Sequence, residues 1–148
     1  MCGIAGALIT HSSKTTPDLA SLVSRMVGAI RHRGPDDSGV HAVNGVALGH
    51  ARLSIIDLTA GGHQPMLTQD GLLWVVFNGE IYNFKELRAQ LIEQGYHFNS
   101  HSDTEVILNS YHHWGKDAFT RLRGMFAIAI WDARADELIL ARDRVGKK

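Results

Sequence analysis

The second residue of the chain is its only cysteine, Cys2, and it directly follows Met1. Removal of Met1 would leave a single residue carrying both a thiol and a free α-amine. An α-amine with an ordinary pKa of ~7.7 to 8.0 is partly neutral at pH 7 and can take the thiol proton, directly or through one water. Such a residue needs no histidine to become a nucleophile, the logic that N-terminal threonine hydrolases use. The competing reading is a buried, inert cysteine at the start of a strand, common for this residue type, and position alone leaves both open. The nine histidines are scattered. His97 and His101 are four apart and His112 and His113 adjacent, but the first pair spans a strand-like piece and a loop rather than one helix face. With no second cysteine to help, no metal site is expected. His50 reads as a packing or hydrogen-bonding residue rather than a base.

Hydrophobic spacing places these residues on elements. Gly3 to Leu8 is short, apolar and Gly-punctuated, as suits a buried strand. Thr16-Pro17 supplies an N-cap and a first-turn proline for a helix whose stripe is Leu19, Leu22, Val23, Met26, Val27 and Ile30. Arg31 to Asp37 ends it as a polar Gly-Pro loop. Asn44-Gly45 between Gly39–Val43 and Val46–Leu48 is a strong hairpin signal. Thr59 to Asp70, with Gly61-Gly62 and Pro65, reads as loop, and Leu72 to Phe77 as a central buried strand. Asn83 with Glu86 makes a capping-box start for a second helix with inner residues Phe84, Leu87 and Leu91, closed near Gly95. A short strand over Tyr96 to Phe98 is predicted next. Ser102 or Asp103 then caps a helix over Thr104 to Trp114, closed by Gly115, and Phe119 and Leu122 mark a short helical piece. A final hairpin runs Met125–Asp132, turn, Leu138–Ala141. Strands, helices and strands again predict a layered α+β domain.

Composition narrows the functional classes. At 148 residues, one domain is expected that folds without disulfides or metals. Lys plus Arg and Asp plus Glu both number 15, which argues against nucleic acid as a partner. A hydrophobic fraction of 45% excludes disorder. One cysteine excludes a disulfide framework. The start lacks the basic residues of a signal peptide, and the longest apolar run, Met125 to Trp131, is far below the ~20 residues needed to span a bilayer. A soluble, cytoplasmic domain without a membrane partner is expected.

Six ordered segments then carry a resemblance. They are Met1-Cys2-Gly3-Ile4-Ala5-Gly6, Arg31-His32-Arg33-Gly34-Pro35-Asp36 and His50-Ala51-Arg52-Leu53-Ser54-Ile55, followed by Phe77-Asn78-Gly79-Glu80-Ile81-Tyr82-Asn83, Ser102-Asp103-Thr104-Glu105 and Gly124-Met125-Phe126-Ala127. Together they resemble the glutaminase domain of asparagine synthetase-type class II glutamine amidotransferases, which are N-terminal-nucleophile hydrolases. The resemblance implies a four-layer αββα sandwich with two antiparallel sheets. It implies hydrolysis of glutamine to glutamate and ammonia through a glutamyl thioester on Cys2. Asn78 and Gly79 correspond to the family's oxyanion hole, although Asn-Gly is equally a turn signature. Arg52 matches the arginine that holds the substrate α-carboxylate, and the backbone of Leu53 to Ile56, with Leu53, Ile55 and Ile56 as substrate-binding positions, lines the same pocket. Glu80 and Asp103 match the acids that receive the α-ammonium. Taken singly, Asp103 could simply cap its helix and Arg52 form a surface ion pair. Arg33 and Asp36 are expected to organise the loop over the pocket.

The family's Ser-Gly-Gly-x-Asp-Ser pyrophosphate loop is missing here, while Ala141 to Lys148 resembles its interdomain junction. The resemblance therefore implies a chain cut before a C-terminal ATP-dependent synthetase domain, with no cofactor in 1–148 and ATP and Mg confined to the missing part. Asparagine synthesis is the default role. A different acceptor, such as a sugar carboxylate in cell-surface polysaccharide synthesis, and a non-enzymatic regulatory domain of the same fold are the alternatives. Self-association into a homodimer is left open.

Overall fold

The computed structural model describes residues 1–10, 18–43 and 45–148. Two thoroughly buried strands organise it. β3 (Val46–Arg52) is buried at every position and pairs antiparallel on both sides, with β1 (Gly3–Leu8) and β2 (Asp37–Val43), in the order β1-β3-β2. β5 (Leu73–Ile81) lies between β4 (Met66–Leu67) and β6 (Gly124–Asp132), with β7 (Glu137–Arg142) outside, giving the antiparallel order β4-β5-β6-β7.

Alternation along these strands decides which residues meet. Val46 and Leu48 of β3 face Trp74, Val76, Ala129 and Trp131 of the other sheet, so the two sheets pack face to face through this cluster. Ala47 and Ala51, on the opposite face of β3, lie under Leu19, Val23 and Val27 of α1 (Leu19–Ala29). The helix can approach because β3 carries Gly49, where a Cβ would stand 2.6 Å from Val23 Cγ1 and Val27 Cγ2. The outer face of the second sheet, with Leu73, Val75, Phe77, Ile128 and Ile130, packs against Leu87 and Leu91 of α2 (Phe84–Glu93) and Val106, Ile107 and Tyr111 of α3 (Asp103–Trp114). A short α4 (Ala118–Arg121) follows α3. The layers are thus α1, sheet, sheet, then α2 with α3, the expected αββα sandwich.

The hairpin at 44–45 forms, with Val43 opposite Val46 and Gly45 at φ +84°, while Asn44 itself lies outside the described residues. The Thr16-Pro17 start also lies outside them, and Asp18 caps α1 by accepting from the Ser21 N–H. Leu22 and Met26 turn to the exposed side, so the buried stripe is narrower than the sequence suggests. Asn83 does precede α2, yet its side chain caps nothing. It donates to the Arg121 carbonyl at 3.0 Å and accepts from the Arg123 N–H at 2.9 Å, binding the start of α2 to the segment entering β6. Tyr96 to Phe98 form no strand: no neighbouring backbone is there to pair with them, and Tyr96 N–H instead closes the end of α2 on Leu91 O. Asn78-Gly79 is no turn, because β5 runs straight through it to Ile81, opposite Ala127 and Phe126 of β6.

Leu91 is fully buried between α2 and the sheet. Leu91→Ala is expected to lower unfolding free energy by about 2–5 kcal/mol in urea denaturation; a loss below about 1 kcal/mol would show that this layer is not packed as described.

Candidate active site

The strand alternation that packs the two sheets also aims side chains into the open end of the space between them. On β3 the even residues face the second sheet, so His50 and Arg52 point the same way as Leu48. One step beyond the Gly3–Ala51 pair, Cys2 lies just before β1, beside Arg52. On β5 the even residues Trp74 and Val76 face the first sheet, so Asn78 and Glu80 do as well. Cys2, Arg52, Leu53, Ile55, Ile56, Asn78, Gly79, Glu80 and Asp103 all line one cleft there. Arg33 and Asp36 do not line it and act from behind.

The thiol of Cys2 accepts from the Leu53 N–H at 3.3 Å and lies 3.5 Å from the Leu53 carbonyl. Arg33 Nε donates to the Cys2 carbonyl at 3.2 Å, and the Asp36 carboxylate accepts from the Ser54 N–H at 2.8 Å. These two residues therefore fix the backbone on either side of the thiol. Met1 still covers the cleft mouth, where its sulfur touches the Lys148 ammonium.

Arg52 is 7% exposed, so it is no surface ion pair, and among the described residues it pairs with no carboxylate. Its Nη1 donates to Thr59 O at 2.9 Å and its Nη2 to Asp57 O. Gly62 presses against it so closely that a Cβ there would be 2.0 Å from Nη2. The loop holding these carbonyls is itself fastened by Asp57, which accepts from Thr59 N–H and, across the cleft, from His101 N–H at 3.1 Å. Thr59 and His101 lower the Asp57 pKa below its ordinary range. A buried cation held only by carbonyl dipoles keeps most of its charge for an anion in the cleft.

The edge of β5 supplies the complementary groups. Thr68 N–H on β4's side bonds Leu73 O, and Phe77 and Ile81 also direct their backbone polar groups to that side. By the same two-residue alternation Gly79 N–H points there too. β4 ends too soon to pair with this stretch. Phe77 N–H is taken by Gln64 Oε1 at 2.7 Å, Phe77 O by His50 Nε2 at 3.1 Å and Ile81 N–H by Asp103 Oδ2 at 3.1 Å. Gly79 N–H, between them, is left facing the cleft beside the Asn78 carboxamide, which has no hydrogen-bond partner among the described residues. Glycine is required at 79 because a Cβ would stand 2.1 Å from Met125 O across the ladder.

Asp103 sits at the start of α3 but does not cap it; Ser102 does, through Thr104 N–H. Burial pushes the Asp103 carboxyl up to about 6, against its bond from Ile81 N–H, with Glu80 adding a smaller push. Burial pushes His50 down to about 4. His50 is therefore neutral at pH 7, donating from Nε2 to Phe77 O, with a buried, unpartnered Nδ1. Gln64 and Asp57, loop residues without periodicity to read, and Thr104 of α3 also line the cleft, and none was assigned a site role from sequence. Among the described residues no group of three or more His, Cys, Asp or Glu is placed to hold a metal ion.

A face-to-face pair of antiparallel sheets between helices, with an N-terminal thiol at the open end of the sandwich, is the architecture of N-terminal-nucleophile hydrolases. The solved Bacillus subtilis glutamine phosphoribosylpyrophosphate amidotransferase, in complex with ADP and GMP, superposes with a TM-score of 0.78 at 21% identity, over 95% of this chain and 37% of that one. The chain belongs to the glutamine amidotransferase domain family, whose model matches residues 1–148. Asparagine synthetase [glutamine-hydrolyzing] 1 of Bacillus subtilis is 46% identical over 148 residues, all of this chain and 23% of that protein. A putative asparagine synthetase [glutamine-hydrolyzing] of Mycobacterium tuberculosis H37Rv is 46% identical over 162 residues and amidase chry2 of Gibberella zeae 40% over 158, again over all of this chain. The chain spans about a quarter of the length of these relatives. No helix among its described residues is long and apolar enough to cross a membrane.

The Asp103 pKa gives a signed prediction. A carboxyl raised from 3.8 to about 6 favours the fold when protonated, and that contribution fades as pH rises through about 6. Asp103→Asn, which can still accept from Ile81 N–H, is expected to raise the melting temperature relative to wild type at pH 7.5 and to lose that advantage at pH 4. Equal shifts at both pH values would count against the raised pKa.

Proposed function

We propose that Cys2, freed of Met1, hydrolyses glutamine to glutamate and ammonia. The observation that carries this reading is the convergence of a thiol, an unpaired buried cation, two carboxyls and two open N–H donors on one cleft. Arg52 receives the α-carboxylate, and Asp103 and Glu80 the α-ammonium, which leaves the side-chain amide over the thiol. The Cys2 amine takes the thiol proton as sulfur attacks the amide carbon. Asn78 Nδ2 and Gly79 N–H receive the developing oxyanion, each such donor being worth ~2.7 to 4 kcal/mol. The protonated amine then passes its proton to the leaving nitrogen, and ammonia departs from a thioester. Water, deprotonated by the same amine, attacks the thioester carbon, releasing glutamate and restoring the thiol.

Residues 1–148 form, on this proposal, the ammonia-supplying domain of a longer enzyme whose ATP-dependent domain activates the acceptor. We assign ATP and magnesium to that other domain. Aspartate is the first candidate acceptor, since two of the relatives above are named as asparagine synthetases. The similarity to a protein named an amidase supports keeping another acceptor as the second reading. A cytoplasmic setting fits this metabolism.

Cys2→Ala is expected to abolish glutaminase activity, measured as glutamate release, while an electrophilic glutamine analogue adds one adduct to wild type at Cys2. Activity surviving in the variant, or an adduct elsewhere, would sink the mechanism. Intact mass should show Met1 absent from active protein. Gly62→Ala should displace the Arg52 guanidinium and raise glutamine KM on the order of tenfold with kcat within about threefold; an unchanged KM would detach Arg52 from the substrate carboxylate.

A further inference from the structure

Gln64 is 5% exposed, belongs to no helix or strand, and yet uses both ends of its carboxamide on backbone and side chain alike. Its Oε1 accepts from Phe77 N–H at 2.7 Å and its Nε2 donates to Thr104 Oγ1 at 3.1 Å. Extending the Met66–Val75 pairing of β4 with β5 by one alternation would set the backbone of residue 64 opposite Phe77. The side chain of Gln64 thus does what β4 would have done had it continued. Thr104 is the neighbour of Asp103, whose carboxyl takes the next satisfied N–H along the edge, that of Ile81. Both N–H groups flanking Gly79 are therefore tied to the first turn of α3. Each lies two residues from it, ~6.6 to 6.8 Å along the strand.

Resting on the proposed glutaminase reading, we propose that Gln64 is a positioning residue for the oxyanion donors: it clamps β5 at Phe77 to α3 at Thr104 and so aims Asn78 and Gly79 N–H. It lines the cleft, but both ends of its carboxamide are taken by Phe77 N–H and Thr104 Oγ1, and among the described residues it makes no hydrogen bond to the Cys2 thiol. Loss of the clamp leaves Phe77 N–H buried and unpaired and frees the strand immediately before Asn78. Donors aimed at an oxyanion act only in the transition state, so misaiming them lowers kcat and leaves ground-state binding in place. A displacement near 1 Å suffices for a large effect.

The test compares wild type, Gln64→Met and a Thr104 pair, all in the full chain. Gln64→Met matches the length of glutamine without its hydrogen bonds. It is expected to lower kcat for glutamine roughly 10- to 100-fold, while KM and the rate at which an electrophilic glutamine analogue labels Cys2 stay within about threefold of wild type. Unchanged kcat overturns the proposal, and so does a kcat that falls only in proportion to labelling, which is general damage to the fold. Should Gln64→Met not fold, Thr104→Val and Thr104→Ser decide: Val is expected to lower kcat at least about threefold at constant KM and Ser to restore it, and equal kcat in the two overturns the proposal. An inactive wild type would overturn the glutaminase reading itself, whereas an active wild type matched by Gln64→Met overturns only the role of Gln64.

Discussion

The site depends on an edge. β5 is paired with β6 along its whole length, and on the other side its pairing with β4 ends at Val75, which on the proposed reading leaves Gly79 N–H available. An unpaired edge buried in a cleft is costly, since each orphaned backbone group loses its water without a replacement. The protein resolves this residue by residue. Gln64, His50 and Asp103 take groups at Phe77 and Ile81, while Gly79 N–H between them has no partner among the described residues. Side chains can stop at a chosen atom where a strand would continue down the ladder.

The same reasoning explains why the segment after β3 has almost no regular structure. Arg52 leaves the sheet pointing into the cleft and must be satisfied without spending its charge. Backbone carbonyls of Asp57 and Thr59 can do this only if the chain doubles back over the guanidinium, and that path must pass within contact of it at Gly62. A helix or strand there would use those carbonyls internally. Asp57 then holds the loop to His101, next to the start of α3, so the cleft-lining Arg52 and Asp103 share one framework.

Much of this was legible in the sequence where a residue type has one geometric use. Short apolar runs such as Leu72 to Phe77 marked strands, the resemblance implied the two sheets, and Cys2 after Met1 stood out by position. The two Asn-Gly pairs show where such reading reaches its end. At 44–45 the flanking strands pair with each other, Val43 opposite Val46; at 78–79 the chain on either side pairs with β6 instead, and the pair stays extended. The dipeptide is identical, and only tertiary context separates the outcomes. Asn83 illustrates the same point, its position before α2 being right and its hydrogen bonds going to Arg121 and Arg123 instead. Tyr96 to Phe98 had the composition of a strand but no partner. Gln64 had neither periodicity nor a motif, and its role exists only because β4 stops short.

Burial sets the charge state of what remains. His50 is pushed down to about 4 and stays neutral, and Asp103 is pushed up to about 6, so it ionises only against resistance. Arg52 meanwhile keeps its charge without a carboxylate partner. A zwitterionic amino acid supplies what such a cleft lacks: a carboxylate for Arg52, and an ammonium that favours ionised Asp103 and thereby offsets its desolvation. The charges of the proposed substrate and those of the cleft are each incomplete alone. Binding by mutual neutralisation also discriminates, because an amide without an α-carboxylate leaves Arg52 buried and unmatched, and one without an α-ammonium leaves the Asp103 carboxylate buried without a cation.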